Sequence, residues 1–442
     1  MLFQHAFRQA AFLFAVCLML GGSRLQAASD TSRLEQAGPS TSPLTVDDAV
    51  RLSLKHNPQV AAGLAGVAAT LATYHSLGVP VPVALGASRI TGTSTAPTLT
   101  GETSDTILDL AWTIDTSGQR RYQAAGANAT FKATHFQFLE TLLTLEQQVR
   151  DAYWSLAAAS AQNDIAQISL TEAKRIFDLT VSQEKAGASP RGDVVRSSID
   201  VANAKQTLLT AQSALKSALI VLNNLLGQPP ESPVKLSANL SEESVPVPTI
   251  NLPSLAVLNE LAKQVRPLLK SSDEQTRAAA YAVRQAESSR LPDLNVQYQR
   301  SVEQQVDALT LTVSIPILDF GGIGQTIKAA REQRKQAEAQ RLQTQQQVTQ
   351  QVSQAYSDLQ IAVTAAASYK AEILTPSVTL LEMAKLGYQQ GATGILPVID
   401  AESTIRNARV GYINSLLAIY KAQDEILSAI GRLPDSVGGN LK

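Results

Sequence analysis

Residues 142–177 read LLTLEQQVRDAYWSLAAASAQNDIAQISLTEAKRIF. Leu142, Leu145, Val149, Ala152, Leu156, Ala159, Asn163, Ala166, Leu170, Ala173 and Phe177 recur along it at alternating steps of three and four, and only Asn163 is polar. That repeat places one apolar stripe along a helix, and alanine at so many of its positions lets a second helix come close. Extended outward, the helix runs over 119–186, roughly 100 Å at 1.5 Å per residue and far beyond an ordinary globular helix. A second stripe, Val201, Ala204, Leu208, Ala211, Leu215, Ala218, Leu222 and Leu225, predicts a partner helix over 191–226.

The same pattern comes twice. Gly118 pairs with Gly322, Gly187 with Gly391 and Leu226-Gly227 with Ile430-Gly431, all 204 positions apart. Tyr153 and Tyr356 are 203 apart, and Asn57-Pro58 and Arg266-Pro267 are 209 apart. A period of that length marks a tandem duplication. It divides the chain into a first repeat over 44–227, a connector over 228–253, a second repeat over 254–433 and a tail over 434–442. The six prolines of the connector keep it extended. In the second repeat the stripes read Val348, Val352, Ala355, Leu359, Ala362, Ala366, Tyr369, Ile373, then Ile405, Ala408, Tyr412, Ser415, Ile419, Ala422, Ile426, Ala429. They predict long helices over 323–389 and 395–431, the first kinked at Pro376.

Before each long helix the period changes to two. Leu108, Leu110, Trp112 and Ile114 alternate with Asp109, Ala111 and Thr113; Leu294, Val296 and Tyr298 with Asn295 and Gln297; Leu309, Leu311, Val313 and Ile315 with Thr310, Thr312 and Ser314. Strands are expected at about 81–91, 105–116, 293–302 and 307–318, the first being the weakest pattern. Alone, such strands fit a half-buried soluble sheet or a sheet between lipid and a wet lumen. Beside helices this long, no soluble core remains for the sheet to cover. Four strands cannot close a membrane barrel, and lipid tolerates no open edge. Two copies would supply eight strands and three copies twelve, and the larger ring makes the better pore.

The N-terminus carries Arg8, an apolar run from Ala10 to Leu20 and small residues up to Ala27. This is the pattern of a secretory signal peptide over 1–27, followed by a flexible segment over 28–43. The single cysteine, Cys17, lies inside that signal, and the four histidines are isolated, so neither a metal site nor a cofactor is expected. No Ser/His/Asp set or paired carboxylates suggest an enzyme. A net charge of −1 speaks against a nucleic-acid partner. No stretch after residue 30 reads as an apolar membrane span. The Gln-rich stretch 333–354 carries embedded heptads and reads as a hydrated helix face. Gly321-Gly322-Ile323-Gly324 lacks the lysine of a phosphate loop and reads, with Gly118, as a strand-to-helix turn.

Several motifs within this order resemble the TolC-type outer-membrane efflux channels. They are Leu44-Thr45-Val46-Asp47-Asp48-Ala49 leading to Asn57-Pro58, then Leu225-Leu226-Gly227, Ser314-Ile315-Pro316-Ile317-Leu318-Asp319-Phe320-Gly321-Gly322 and Tyr388-Gln389-Gln390-Gly391. The similarity covers about 44–433. It implies a mainly α fold with a membrane β-barrel portion: as a homotrimer, a twelve-stranded barrel in outer-membrane lipid above a coiled-coil tunnel through the periplasm. The function implied is an exit duct for an efflux or type I secretion system, in a Gram-negative-type bacterium. Its partners would be a periplasmic adaptor (membrane fusion) protein and an inner-membrane pump. The other function considered is an exported periplasmic or surface coiled-coil structural protein.

The resemblance also assigns roles. It places a periplasmic gate at Asp193, Tyr388, Pro397 and Asp400, and adaptor docking at the helix tips Gly187 and Gly391. Pro397 stands where many relatives carry a second aspartate. Without the resemblance, Asp193 and Asp400 read as helix-start carboxylates serving the dipole, and the two glycines as helix terminators.

Overall fold

The stripes of both halves lie on long helices. The computed structural model describes residues 43–94, 101–240, 253–314 and 320–431. The first half runs α1 (Val46–His56), α2 (Pro58–Gly78), β1 (Ala84–Ser94), β2 (Gly101–Ile114), α3 (Gln119–Lys185) and α4 (Arg191–Leu226). The second repeats that order: α5 (Leu255–Val265), α6 (Pro267–Ser288), β3 (Asp293–Ser301), β4 (Val306–Ser314) and α7 (Gly322–Tyr369), then a π-helical turn (Lys370–Leu374), α8 (Thr375–Gln389) and α9 (Leu396–Ile430). The expected signal, most of the connector from 241, residues 315–318 of the fourth strand and the tail lie outside the described residues.

Each half has its own apolar seam. Leu145, Val149, Tyr153 and Leu156 of α3 pack with Leu222 and Leu226 of α4 and with Ala49 and Val50 of α1. Val348, Val352, Ala355 and Leu359 of α7 pack likewise with Ile419 and Ile426 of α9 and Leu258 of α5. Each fully buried Leu, Ile or Val contributes about 1.5–3 kcal/mol, so these seams outweigh any turn or cap.

The halves differ by one residue inside the long helix. Gly118 and Gly321 are both left-handed residues at a helix start, with φ of 73° and 87°. Gly118 therefore corresponds to Gly321, not to Gly322, which is the first residue of α7. Upstream of the π turn the halves are thus 203 apart, as Tyr153 and Tyr356 are, and at Gly187 and Gly391 they are 204 apart. One inserted residue is what a π turn holds, and Thr375 N–H donates to the Lys370 carbonyl five residues back.

The insertion corrects one expectation. It turns the downstream face by about 100°, so Leu374 is 5 % exposed while Ile373, expected in the stripe, is 43 % exposed. Pro376, where a kink is expected, directly follows the π turn, two residues past Leu374 and at the start of α8.

The four strands form one antiparallel sheet in the order β1-β2-β3-β4. Leu85 faces Leu110, which faces Tyr298, which faces Leu309; Trp112, Val296 and Leu311 form the next row. Residues directly opposed share a face, so one face is apolar and open, with Leu85, Leu309 and Leu311 each 64–67 % exposed. Asp109, Ala111, Thr113, Gln297, Gln299, Thr310 and Thr312 form the other.

Near the sheet the helices lie in the order α2-α3-α6-α7, and farther away α4-α3-α9-α8. α2 differs from expectation. Its 21 residues are apolar enough to cross a membrane by length and composition. It lies instead along α3, with Gly63 so near the Phe138 ring that a side chain would overlap it.

Where α9 meets α3, one cation serves several carboxylates. Arg150 lies 2.9 Å from Glu146 and 2.9 Å from Asp47. Asp424 is 3.9 Å away with its other oxygen buried and unpartnered. Burial therefore outweighs the distant guanidinium and pushes the Asp424 carboxyl up to about 7, with Asp151 and Glu146 adding repulsion against the pull of the Trp154 hydrogen bond. A carboxyl raised in the folded state stabilises it fully below its ordinary value near 3.8, and that stabilisation is lost as pH rises through about 7. Asp424→Asn, neutral throughout, is expected to melt higher than wild type at pH 8 and to flatten the fall between pH 5 and 8. Equal melting temperatures at pH 8 would contradict this.

Candidate functional site at the helix-pair tips

Farthest from the sheet, α3 turns into α4 and α8 into α9. Both turns close in the same way. Ala188 N–H donates to the Gln183 carbonyl at 2.8 Å and Gly187 N–H to Glu184 at 2.9 Å; Ala392 N–H donates to Gly387 at 2.9 Å and Gly391 N–H to Tyr388 at 3.1 Å. This crossed pair of bonds needs a left-handed residue just past the helix, supplied by Gly187 and Gly391 at φ of 71° and 69°. Neither glycine has an atom within 4 Å of where a Cβ would stand, so the backbone angle alone requires it and the tip surface is open.

The sequence-predicted gate residues are not gathered into one cluster. Asp193, in the first turn of α4, accepts a 3.2 Å hydrogen bond from the Ser189 hydroxyl, which ties it to its own helix start. Pro397 is exposed in the first turn of α9. Asp400 is exposed one turn further, its carboxylate without a partner among the described residues. Tyr388 alone spans the two halves. Its hydroxyl donates to Gln183 Oε1 on α3, and its ring packs on Ile176, Ile395 and Val398.

Charges that the sequence did not single out cross the whole lower row of helices. Lys385 of α8 pairs with Glu402 of α9 at 2.7 Å and with Glu172 of α3 at 3.8 Å. Asp200 of α4 is raised by burial against the pull of Arg406 on α9, with Glu402 adding repulsion. Each residue looks like an ordinary solvated charge along its own helix. Their partners lie on other helices, so no local spacing reveals them. Among the described residues, no group of three or more His, Cys, Asp or Glu is arranged to hold a metal ion.

Known proteins share this fold. The family model described as outer membrane efflux protein matches residues 49–228 and 258–432. The chain is 24 % identical over 323 residues to the cobalt-zinc-cadmium resistance protein CzcC of Cupriavidus metallidurans, covering 72 % of this chain and 75 % of that protein. It is 25 % identical over 411 residues to protein CyaE of Bordetella pertussis, covering 88 % and 84 %. The solved outer-membrane channel OprN superposes with a TM-score of 0.76 at 22 % identity, covering 87 % of this chain and 89 % of that one.

Proposed function

This chain belongs to the outer membrane efflux protein family, and on that premise we propose that three copies close into one passive duct, with the helix tips as its periplasmic gate. The protein is an outer-membrane channel of tripartite efflux or secretion systems. Substrate choice then rests largely with the pump. The observation that carries the trimer is that every tier of the protomer ends on a first-half element at one edge and a second-half element at the other. The sheet is open at β1 and β4, the upper helices at α2 and α7, the lower at α4 and α8. Edges of that kind join head to tail and close into a ring. Three copies complete twelve strands and leave no edge in lipid.

The exposed stripes suit this closure. Val195 and Ile199 on α4 are 52 % and 54 % exposed, and Leu380 and Met383 on α8 are 48 % and 66 % exposed. Ile199 and Leu380 lie eight and nine residues from their tip turns, so they stand at one level. A coiled-coil scaffold would leave the apolar face of the sheet in water, which disfavours that alternative.

At the tips, Gly187 and Gly391 present open turns to a periplasmic adaptor, which couples the duct to an inner-membrane pump. Tyr388, with Lys385, holds the two hairpins together. Asp193, Pro397 and Asp400 line the entrance, with Asp400 as a three-fold acidic ring that attracts cations and repels itself. Asp400→Ala is expected to leak more than wild type in planar bilayers; an unchanged resting current would remove Asp400 from the gate.

Cysteine linkage tests the ring. Ile199→Cys with Leu380→Cys, treated with a short bis-maleimide, is expected to give linked dimers and trimers and nothing larger. Linkage confined to monomers, or a ladder running past three, would contradict closure.

A further inference from the structure

We propose that the junction of strands and helices is a binding collar for acidic phospholipid headgroups, built from Arg121, Arg284, Arg290 and Lys328. All four are exposed, and none has a side-chain partner among the described residues. Three described carboxylates at this level are otherwise engaged. Asp115 accepts from the backbone N–H of Gln119 and Arg120 at 3.1 and 2.8 Å. Glu287 pairs with Arg331 at 2.7 Å and Glu332 with Lys335 at 2.9 Å. Asp293, at the start of β3, is half-buried with one oxygen enclosed and unpartnered, so it is turned into the protein rather than toward these cations. A neighbouring copy offers no relief, because α2, the edge that α7 would meet, contains no Asp or Glu.

Position supplies the second reason. The open apolar face ends at Ile114, Leu294 and Val313, with Trp112 two residues inside that boundary. Amphipathic rings of that kind mark a membrane–water interface. Below the boundary, Arg121 is about 3 Å into α3, Arg284 about 6 Å from the end of α6 and Lys328 about 9 Å into α7, at 1.5 Å per residue. Arg290 lies in the link between α6 and β3. The headgroup layer occupies about 5–7 Å on each side of the hydrocarbon, and long basic side chains reach back toward it. Arginine holds a phosphate through two parallel N–H donors, which a zwitterionic headgroup partly neutralises.

The proposal rests on the strands lying in lipid. Native mass spectrometry of the detergent-extracted full-length protein, incubated with phosphatidylglycerol or phosphatidylcholine, tests it. Wild type is expected to retain at least fivefold more phosphatidylglycerol, with the excess falling as salt is raised. Arg121→Gln/Lys328→Gln and Arg284→Gln/Arg290→Gln should each cut that excess severalfold, whereas Lys174→Gln near the tips should leave it intact. Equal retention of both lipids, or an excess untouched by the collar variants, would overturn the proposal. So would a shift of reversal potential in those variants with lipid retention unchanged, because the cations would then face the lumen. A protein extracted by buffer alone would instead overturn the placement of the strands in lipid.

Discussion

Lys385→Ala is expected to open the resting channel. The lysine ties α8 to α9 through Glu402 at 2.7 Å and reaches Glu172 on α3 at 3.8 Å, so one side chain spans three of the four helices near the tips, where the gate is proposed. Lys385 and Glu402 are 30 % and 15 % exposed, which leaves the pair partly screened. At that exposure one tie contributes about 1 kcal/mol. Three copies acting on one gate would add to about 3 kcal/mol, roughly a hundred-fold in the ratio of closed to open states. Single-channel recording should show the change as a higher resting open probability, smaller at high salt because screening has already weakened the tie. Lys385→Arg should restore most of the closed state. Tyr388→Phe, which removes only the hydroxyl bond to Gln183 and keeps the ring among Ile176, Ile395 and Val398, should leak less than Lys385→Ala. An unchanged open probability in Lys385→Ala would remove this tie from the gate.

Arg266→Ala is expected to cost the fold about 3–5 kcal/mol, because it strands a mostly buried carboxylate. Arg266 occupies the break between α5 and α6 and is 6 % exposed. It donates to Glu140 of α3 at 2.7 Å, to the Ser428 carbonyl of α9 at 2.6 Å and to Gln351 of α7 at 3.3 Å. One guanidinium thus joins three long helices, two of them from the second half and one from the first. Its counterpart in the first half is Asn57, which donates to the Leu225 carbonyl at 3.1 Å, a neutral version of the same joint. Arg266→Met with Glu140→Leu removes the pair together and should recover most of the loss. Denaturant unfolding in detergent measures both. Arg266→Ala within about 0.5 kcal/mol of wild type would mean that Glu140 finds water or another cation.

These two residues mark where sequence reasoning stops. The stripe from Leu142 to Ala173 is legible because burial on a helix repeats at short spacing, and all its members but Asn163 are buried on α3. The alternation of Leu309, Leu311 and Val313 on β4 is legible because successive side chains of a strand point to opposite faces, although this face is open. In the second half the stripe holds through Ala366 and then slips by one, because the π turn adds a residue that no local spacing announces. β1 is faint in sequence since Gly86, Ala87 and Ser88 carry little side chain to alternate. The tip glycines stand in local turn chemistry and can be picked out, whereas Tyr388 is singled out only by the resemblance, since its partner Gln183 lies 205 positions away. Lys385 meets its partners only through the packing of α8 on α9, and Arg266 meets Glu140 126 positions away. Pairs of that kind belong to the tertiary fold.

The most direct test of the channel is the native mass of the mature protein extracted from outer membranes with detergent. A trimer is expected, since only a closed ring satisfies the open edges of β1 and β4 in lipid. A monomer or dimer that extracts in buffer alone would contradict it, and would leave the apolar face of the sheet to be explained by some other partner.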